Sequence, residues 1–163
     1  MAVVIRAPEP YTTKKYSIFT AGSIDQGKAR PWDEEIIEAL KDFDVQILSP
    51  RRLDWDDSWT QEASDPQFRE QVTWEWKALA AADMLICVFT AKSKAPISFY
   101  EWGRFSTTKK DALVCVEKGF YRTGNLDLYA EFDQIPVYHD LKEMLEDLKI
   151  VLTQHGLGPK ETA

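Results

Sequence analysis

Short apolar runs alternate along this chain with longer stretches in which hydrophobic positions recur every three or four residues. Residues 16–20, 45–48, 83–90 and 112–117 read as buried strands, and 135–138 reads as a fifth. The run 83–90 is apolar throughout its middle, as in a strand covered on both faces. Helical periods lie between the strands. In 31–43, Ile36, Ile37, Leu40 and Phe43 make one apolar face, and Pro31 falls in the first turn, where its missing N–H costs nothing. Residues 66–82, 98–110 and 140–155 read as three further helices. Residues 54–65 are polar, acidic and without a period, and 119–134 read as irregular. Residues 1–15, broken by Pro8 and Pro10, read as a loosely held N-terminal arm, 16–155 as one domain and 156–163 as a tail.

Strands that alternate with helices predict an α/β domain with a mainly parallel sheet, helices on both faces and right-handed crossovers. In such folds the ligand lies beyond the carboxyl ends of the strands, near the switch in strand order. Here those ends carry Gly22-Ser23, Arg51-Arg52, residues 90–96 and residues 119–125.

Composition narrows the partners. The formal charge is −7 with a pI near 4.9, which argues against duplex nucleic acid and against polybasic membrane binding. Apolar runs such as Met84 to Phe89 are far too short to span a bilayer, and the N-terminus has neither the basic lead nor the apolar stretch of a signal peptide. A cytoplasmic protein is expected. Cys87 and Cys115 each lie inside an apolar run and read as reduced core residues. His139 and His155 have no ligand spacing, so neither a metal nor an organic cofactor is expected.

Two carboxylates carry the candidate chemistry. In Pro96-Ile-Ser-Phe-Tyr-Glu-Trp-Gly103, Glu101 falls where a strand has ended and a helix is starting. Free N–H groups and the positive dipole end of a helix hold a carboxylate ionised, as a nucleophile requires. Glu75 falls on the same helical stripe as Phe68, Val72 and Leu79, which turns it inward. A carboxylate on a core face is costly unless it is paired or at work. The structural alternative is a buried salt bridge to an arginine such as Arg51.

The remaining candidates divide between binding and packing. Gly22-Ser-Ile-Asp-Gln-Gly-Lys28-Ala29 nearly matches a Walker A loop, but Ala29 cannot hold magnesium and the following strand end, Phe89-Thr90, offers no Asp. The loop reads instead as backbone N–H groups at Gly22 and Ser23 that meet a hydroxyl or phosphate of a small ligand, or as a plain glycine turn. Arg51 and Arg52 either bind a phosphate, orient Glu75 or tie the loop to a carboxylate. Trp55 and Trp59 stack on a ligand or pack their loop onto the body or onto a neighbouring subunit. Tyr100 either hydrogen-bonds to Glu101 or simply packs, Trp102 reads as core, and Asp83, at the amino end of its strand, reads as structural.

Taken in order, Phe19-Thr-Ala-Gly-Ser-Ile24, Ser49-Pro-Arg-Arg52, Trp74-Glu75 with Ala82-Asp83, Pro96 to Gly103, and Gly119-Phe-Tyr-Arg-Thr-Gly-Asn125 resemble the nucleoside 2-deoxyribosyltransferase family, in its deoxyribosyltransferase-like branch. The resemblance covers roughly residues 16–150. It implies a single flavodoxin-like (Rossmann-like) doubly wound domain with a five-stranded, mainly parallel sheet, in a homo-oligomer whose active site is shared between subunits. It implies that Glu101, in an X-Glu-X-Gly segment, is catalytic and that Glu75 is the first acidic residue of the site. Three positions depart from the family pattern. Ile18 stands where a tyrosine positions the nucleophile, Ala95 stands where a second aspartate contacts the base, and Asp25 stands where the hydrolase branch often has a basic residue.

The implied reaction is cleavage of the N-glycosidic bond of a (deoxy)nucleoside. Glu101 attacks C1′, a glycosyl-enzyme forms, and a second free nucleobase takes the sugar with overall retention. Glu75 handles the proton of the departing base, Gly22 and Ser23 hold the sugar, Arg51 and Tyr100 line the site, and Asn125 reaches a sugar hydroxyl. Two alternatives remain: an N-glycoside hydrolase of nucleosides or their 5′-monophosphates, and a non-catalytic nucleotide-binding protein of the same fold.

Overall fold

The chain, described from a computed structural model over residues 1–24, 30–54, 56 and 58–159, is built on one six-stranded, all-parallel sheet. The strands are β1 (Val3–Arg6), β2 (Ser17–Gly22), β3 (Gln46–Ser49), β4 (Met84–Phe89), β5 (Asp111–Val116) and β6 (Val137–Tyr138). The helices are α1 (Trp32–Leu40), α2 (Pro66–Ala81), α3 (Pro96–Ser106), α4 (Thr123–Asp133) and α5 (Leu141–Gln154). Strand order is β1-β3-β2-β4-β5-β6. With β1 set aside, this is the flavodoxin-like order, and its switch point falls between β2 and β4.

Side-chain alternation along the strands builds two cores. Phe19, Leu48, Leu85, Cys87 and Phe89 face α2, α3 and α4 through Trp74, Ala78, Trp102, Phe105, Leu126 and Ala130. Ile18, Ile47, Met84, Ile86 and Val88 face α1 and α5 through Ile36, Leu40, Met144 and Leu148. Burial of β4 over its whole length follows from this double cover. Both cysteines are free and buried. Asp83 accepts hydrogen bonds from the Ser17 N–H (2.8 Å) and hydroxyl (3.0 Å), the structural role expected of it. No helix among the described residues is long and apolar enough to cross a membrane.

Three expectations are corrected. The first fifteen residues are not a loose arm, because Val3–Arg6 pairs along β3, with Val3 opposite Gln46 and Arg6 opposite Ser49. Val3, Val4 and Ile5 are β-branched and suit an edge position, and the prolines at 8 and 10 follow the strand and end it instead of breaking it. This edge strand makes the sheet six-stranded, not five-stranded. Residues 119–134 are not wholly irregular, since α4 occupies 123–133. Its apolar signal is thin: only Leu126 and Ala130, four apart, are buried, and Gly124 sits in the first turn. Finally, the inward stripe of α2 is Gln71, Trp74, Glu75, Ala78 and Leu79, with Val72 exposed. Glu75 keeps a half-buried place beside Leu79, and Phe68 is half-buried as well, so of the expected companions Val72 alone faces out.

Candidate active site

The ends of β2 and β4 meet at the switch point through a polar knot. The Ser23 N–H donates to the Val88 carbonyl (3.0 Å), and the Ser23 hydroxyl accepts from the Thr90 N–H (3.0 Å) and bonds with the Ser93 hydroxyl. The Trp32 indole N–H donates to the Ser23 carbonyl at 2.8 Å. Gly22 is required here on grounds of space, since a Cβ would lie 2.3 Å from the Val88 carbonyl oxygen and 2.7 Å from the Trp32 ring. Ser23 is fully buried, so its hydroxyl organises the switch point from within. Gly27, Lys28 and Ala29 of the near-Walker loop, with Asp25, lie outside the described residues, as does Trp55.

The loop from β4 then reaches Ala95, whose left-handed backbone (φ 44°) turns the chain into α3 with Pro96 at its first position. Glu101 is therefore the sixth residue of the helix, past the first-turn N–H groups. No hydrogen bond or ion pair reaches its carboxyl among the described residues, and it is buried. Burial, followed by the charge of Glu75, pushes its pKa up to about 8. The expectation of a dipole-stabilised, ionised carboxylate is thus corrected: Glu101 lies past the helix start, and its burial and the charge of Glu75 favour the protonated form.

Glu75 approaches from α2, which packs against α3. Burial raises its pKa, and a hydrogen bond from the Gln71 amide at 2.7 Å partly opposes that rise. The same amide nitrogen donates to the Pro50 carbonyl at 2.7 Å. Gln71 went unnoticed in the sequence, although a polar residue four before Glu75 on one helix face is the pattern that places two side chains together. Beneath Glu101, the buried Cys87 thiol is pushed well above its ordinary pKa, by burial first and then by the Glu101 charge.

Arg51 does not neutralise Glu75. Its guanidinium pairs at 2.5 Å with Asp33, a buried carboxylate at the start of α1 that sequence reasoning also passed over. Arg52 pairs with Asp54 (2.9 Å) and Glu70 (3.2 Å) and lies 4.9 Å from the ring centre of Trp59. Both arginines, expected as anion ligands, are thus engaged within the chain. Tyr100 is exposed on α3, a position that faces away from its neighbour Glu101. Asn125 is exposed in the first turn of α4. Within one chain, therefore, α2 and α3 bring Glu75 and Glu101 together, the Gly22-Ser23 turn holds the ends of β2 and β4 together beside Trp32, and Tyr100 and Asn125 are exposed. Among the described residues, no cluster of His, Cys, Asp and Glu could hold a metal ion.

Comparison with known proteins bears on the fold and on the family. A crystal structure of a conserved protein from Enterococcus faecalis V583 superposes with a TM-score of 0.60 at 13% identity, covering 86% of this chain and 99% of that one, and so shares the fold. No curated protein matches the chain in sequence. The sequence model described as "nucleoside 2-deoxyribosyltransferase like" matches residues 15–120, from β2 past β5 and across both Glu75 and Glu101. With nearly two-thirds of its length in that match, the chain belongs to the nucleoside 2-deoxyribosyltransferase-like family.

Proposed function

We propose that the protein cleaves the N-glycosidic bond of a nucleoside or deoxynucleoside and transfers the sugar to a second free nucleobase. Glu101 is the nucleophile at C1′, and Glu75 carries the proton of the departing and arriving bases. The supporting observation is the pair itself: the buried carboxyl of Glu101 on α3 and the half-buried carboxyl of Glu75 on α2 come together, the charge of Glu75 disfavours charge on Glu101, and no described cation neutralises either. Such an arrangement is expensive to keep for stability alone and is typical of sites where protons and charge move. Covalent attack by a carboxylate, followed by displacement by the acceptor, gives retention. The engagement of Arg51 and Arg52 with Asp33, Asp54 and Glu70 favours an uncharged nucleoside over its 5′-monophosphate.

The exposed apolar side chains favour a homo-oligomer. Ile97 and Tyr100 on α3, Tyr121 just before α4, and Tyr129 and Phe132 on α4 all stand on one helical layer. A second copy covering this layer brings Tyr100 and Asn125 into an interface, where they can serve a shared site.

The deciding experiment is chromatography of base release and exchange. The protein is incubated with each deoxynucleoside, ribonucleoside and monophosphate, with and without a second base. A new nucleoside that forms only when acceptor is present is the expected result, and Glu101→Ala lowers turnover by several orders of magnitude. Free base without exchange points to a hydrolase, and no product from any substrate points to a binding protein.

A further inference from the structure

We propose that Gln71 is a positioning residue whose side-chain amide keeps Glu75 as the ionised member of the glutamate pair, leaving on Glu101 the single proton that the reaction moves. The inference rests on the reading of Glu101 as nucleophile and Glu75 as proton carrier. Gln71 is buried, and both hydrogens of its amide nitrogen are committed, one to the Pro50 carbonyl and one to Glu75 Oε1, each at 2.7 Å. Rotating the amide would set its oxygen against two other acceptors, so the orientation is fixed. Its own Oε1 is buried without a partner, a cost that the chain bears in order to point the nitrogen at Glu75. Pro50 leaves β3, so the amide ties α2 to the loop after β3 and cannot swing with its helix alone.

The two carboxyls differ in burial, Glu101 being the more deeply buried, and in their hydrogen bonding. A donor aimed at a carboxylate favours its charged form, and only Glu75 has one. Glu101 faces Glu75 across from α2, and its burial and that neighbouring charge both disfavour charge on it; Cys87, from β4 below, stays a neutral thiol. Arg51, the nearest cation in sequence to Pro50, is spent on Asp33. A proton shared by the pair therefore resides on Glu101.

The reaction then balances with that proton alone. Substrate binding moves it from Glu101 to Glu75. A Glu101 oxygen bonds to C1′ as the C1′–N bond breaks, the bonding pair goes to the base nitrogen, and that nitrogen takes the proton from Glu75. In the second half, the acceptor base returns its N–H proton to Glu75 as its nitrogen displaces Glu101 from C1′. The active form of the free enzyme carries one proton on the pair, so activity is bounded on both sides in pH.

Infrared difference spectroscopy of the ligand-free protein at pH 7 reads the proton directly and requires no turnover. A protonated-carboxyl band lost in Glu101→Gln and kept in Glu75→Gln is the expected result. No such band, or a band lost only in Glu75→Gln, overturns the inference. The pH profile of kcat/KM supplies the second readout. A bell with its alkaline limb near the Glu101 value of about 8 is expected, and a rise to a plateau above it overturns the proposal. Gln71→Met should raise the acid limb and lower kcat roughly ten- to hundredfold, more than it changes KM. A loss with the profile unmoved would mean that Gln71 only fills space. Absence of base release from every substrate would defeat the proposed function while the infrared result still decides where the proton lies.

Discussion

Glu101 shows how one residue's environment sets both its chemistry and its cost. Its candidacy was legible from the Pro96–Gly103 segment, but the burial and the neighbouring charge that favour its protonated form were not. That state depends on where α3 begins and on a second glutamate from α2, neither of which local sequence fixes. The consequence for stability has a definite sign. A carboxyl with a folded-state pKa raised to about 8, against an unfolded value near 4.5, binds more protons folded than unfolded between those limits. Its contribution to stability therefore falls as pH rises through that window. Urea unfolding of wild type and Glu101→Gln should agree near pH 5 and diverge in favour of the variant as pH rises, with the difference levelling off above about 8. A constant difference across this range would mean that Glu101 titrates like an exposed acid. Arg51 and Asp33 illustrate the opposite limit of reading. The sequence leaves Arg51 a choice of carboxylates, and only the approach of α1 to the end of β3 decides for Asp33 over Glu75.

Elements with a strong period and a double cover were the most legible. β4 and α5 were recognised to within a residue or so at each end, because six consecutive apolar positions and five buried positions at helical spacing leave few alternatives. β1 and α4 were missed for one shared reason: each buries little of its own surface, and each is held chiefly by what it pairs with or packs upon. The junction of β2 with β4 is the element-level feature on which the site depends most. Gly22→Ala forces a methyl group against the Val88 carbonyl and the Trp32 ring. A loss of about 1–3 kcal/mol is expected from overpacking, read as a lower urea midpoint at unchanged slope. Base exchange should fall further than stability does, because the same shift displaces Ser23, Thr90 and the loop that leads into α3. An unaltered midpoint would mean that β2 can slide away from β4 without cost.

At the scale of the whole molecule, the two helical layers are unlike. The α1/α5 side exposes little large apolar surface, whereas Ile97, Tyr100, Tyr121, Tyr129 and Phe132 stand open on the side of α3 and α4. Light scattering at dilute concentration is expected to give a mass above that of the 18.8 kDa monomer. Phe132→Asp should shift that mass downward and weaken activity in parallel. A monomeric wild type with full activity would remove the need for a partner copy. The sheet order also carries a consequence for how the chain comes into being. Val3–Arg6 is made before its register partners, which begin at Gln46, and the strand that β3 leans on is itself paired to residues from Met84 onward. This strand must therefore wait for its partner until the later strands have been synthesised. Through that interval the β-branched run Val3–Ile5 is open to capture by chaperones or by another nascent copy.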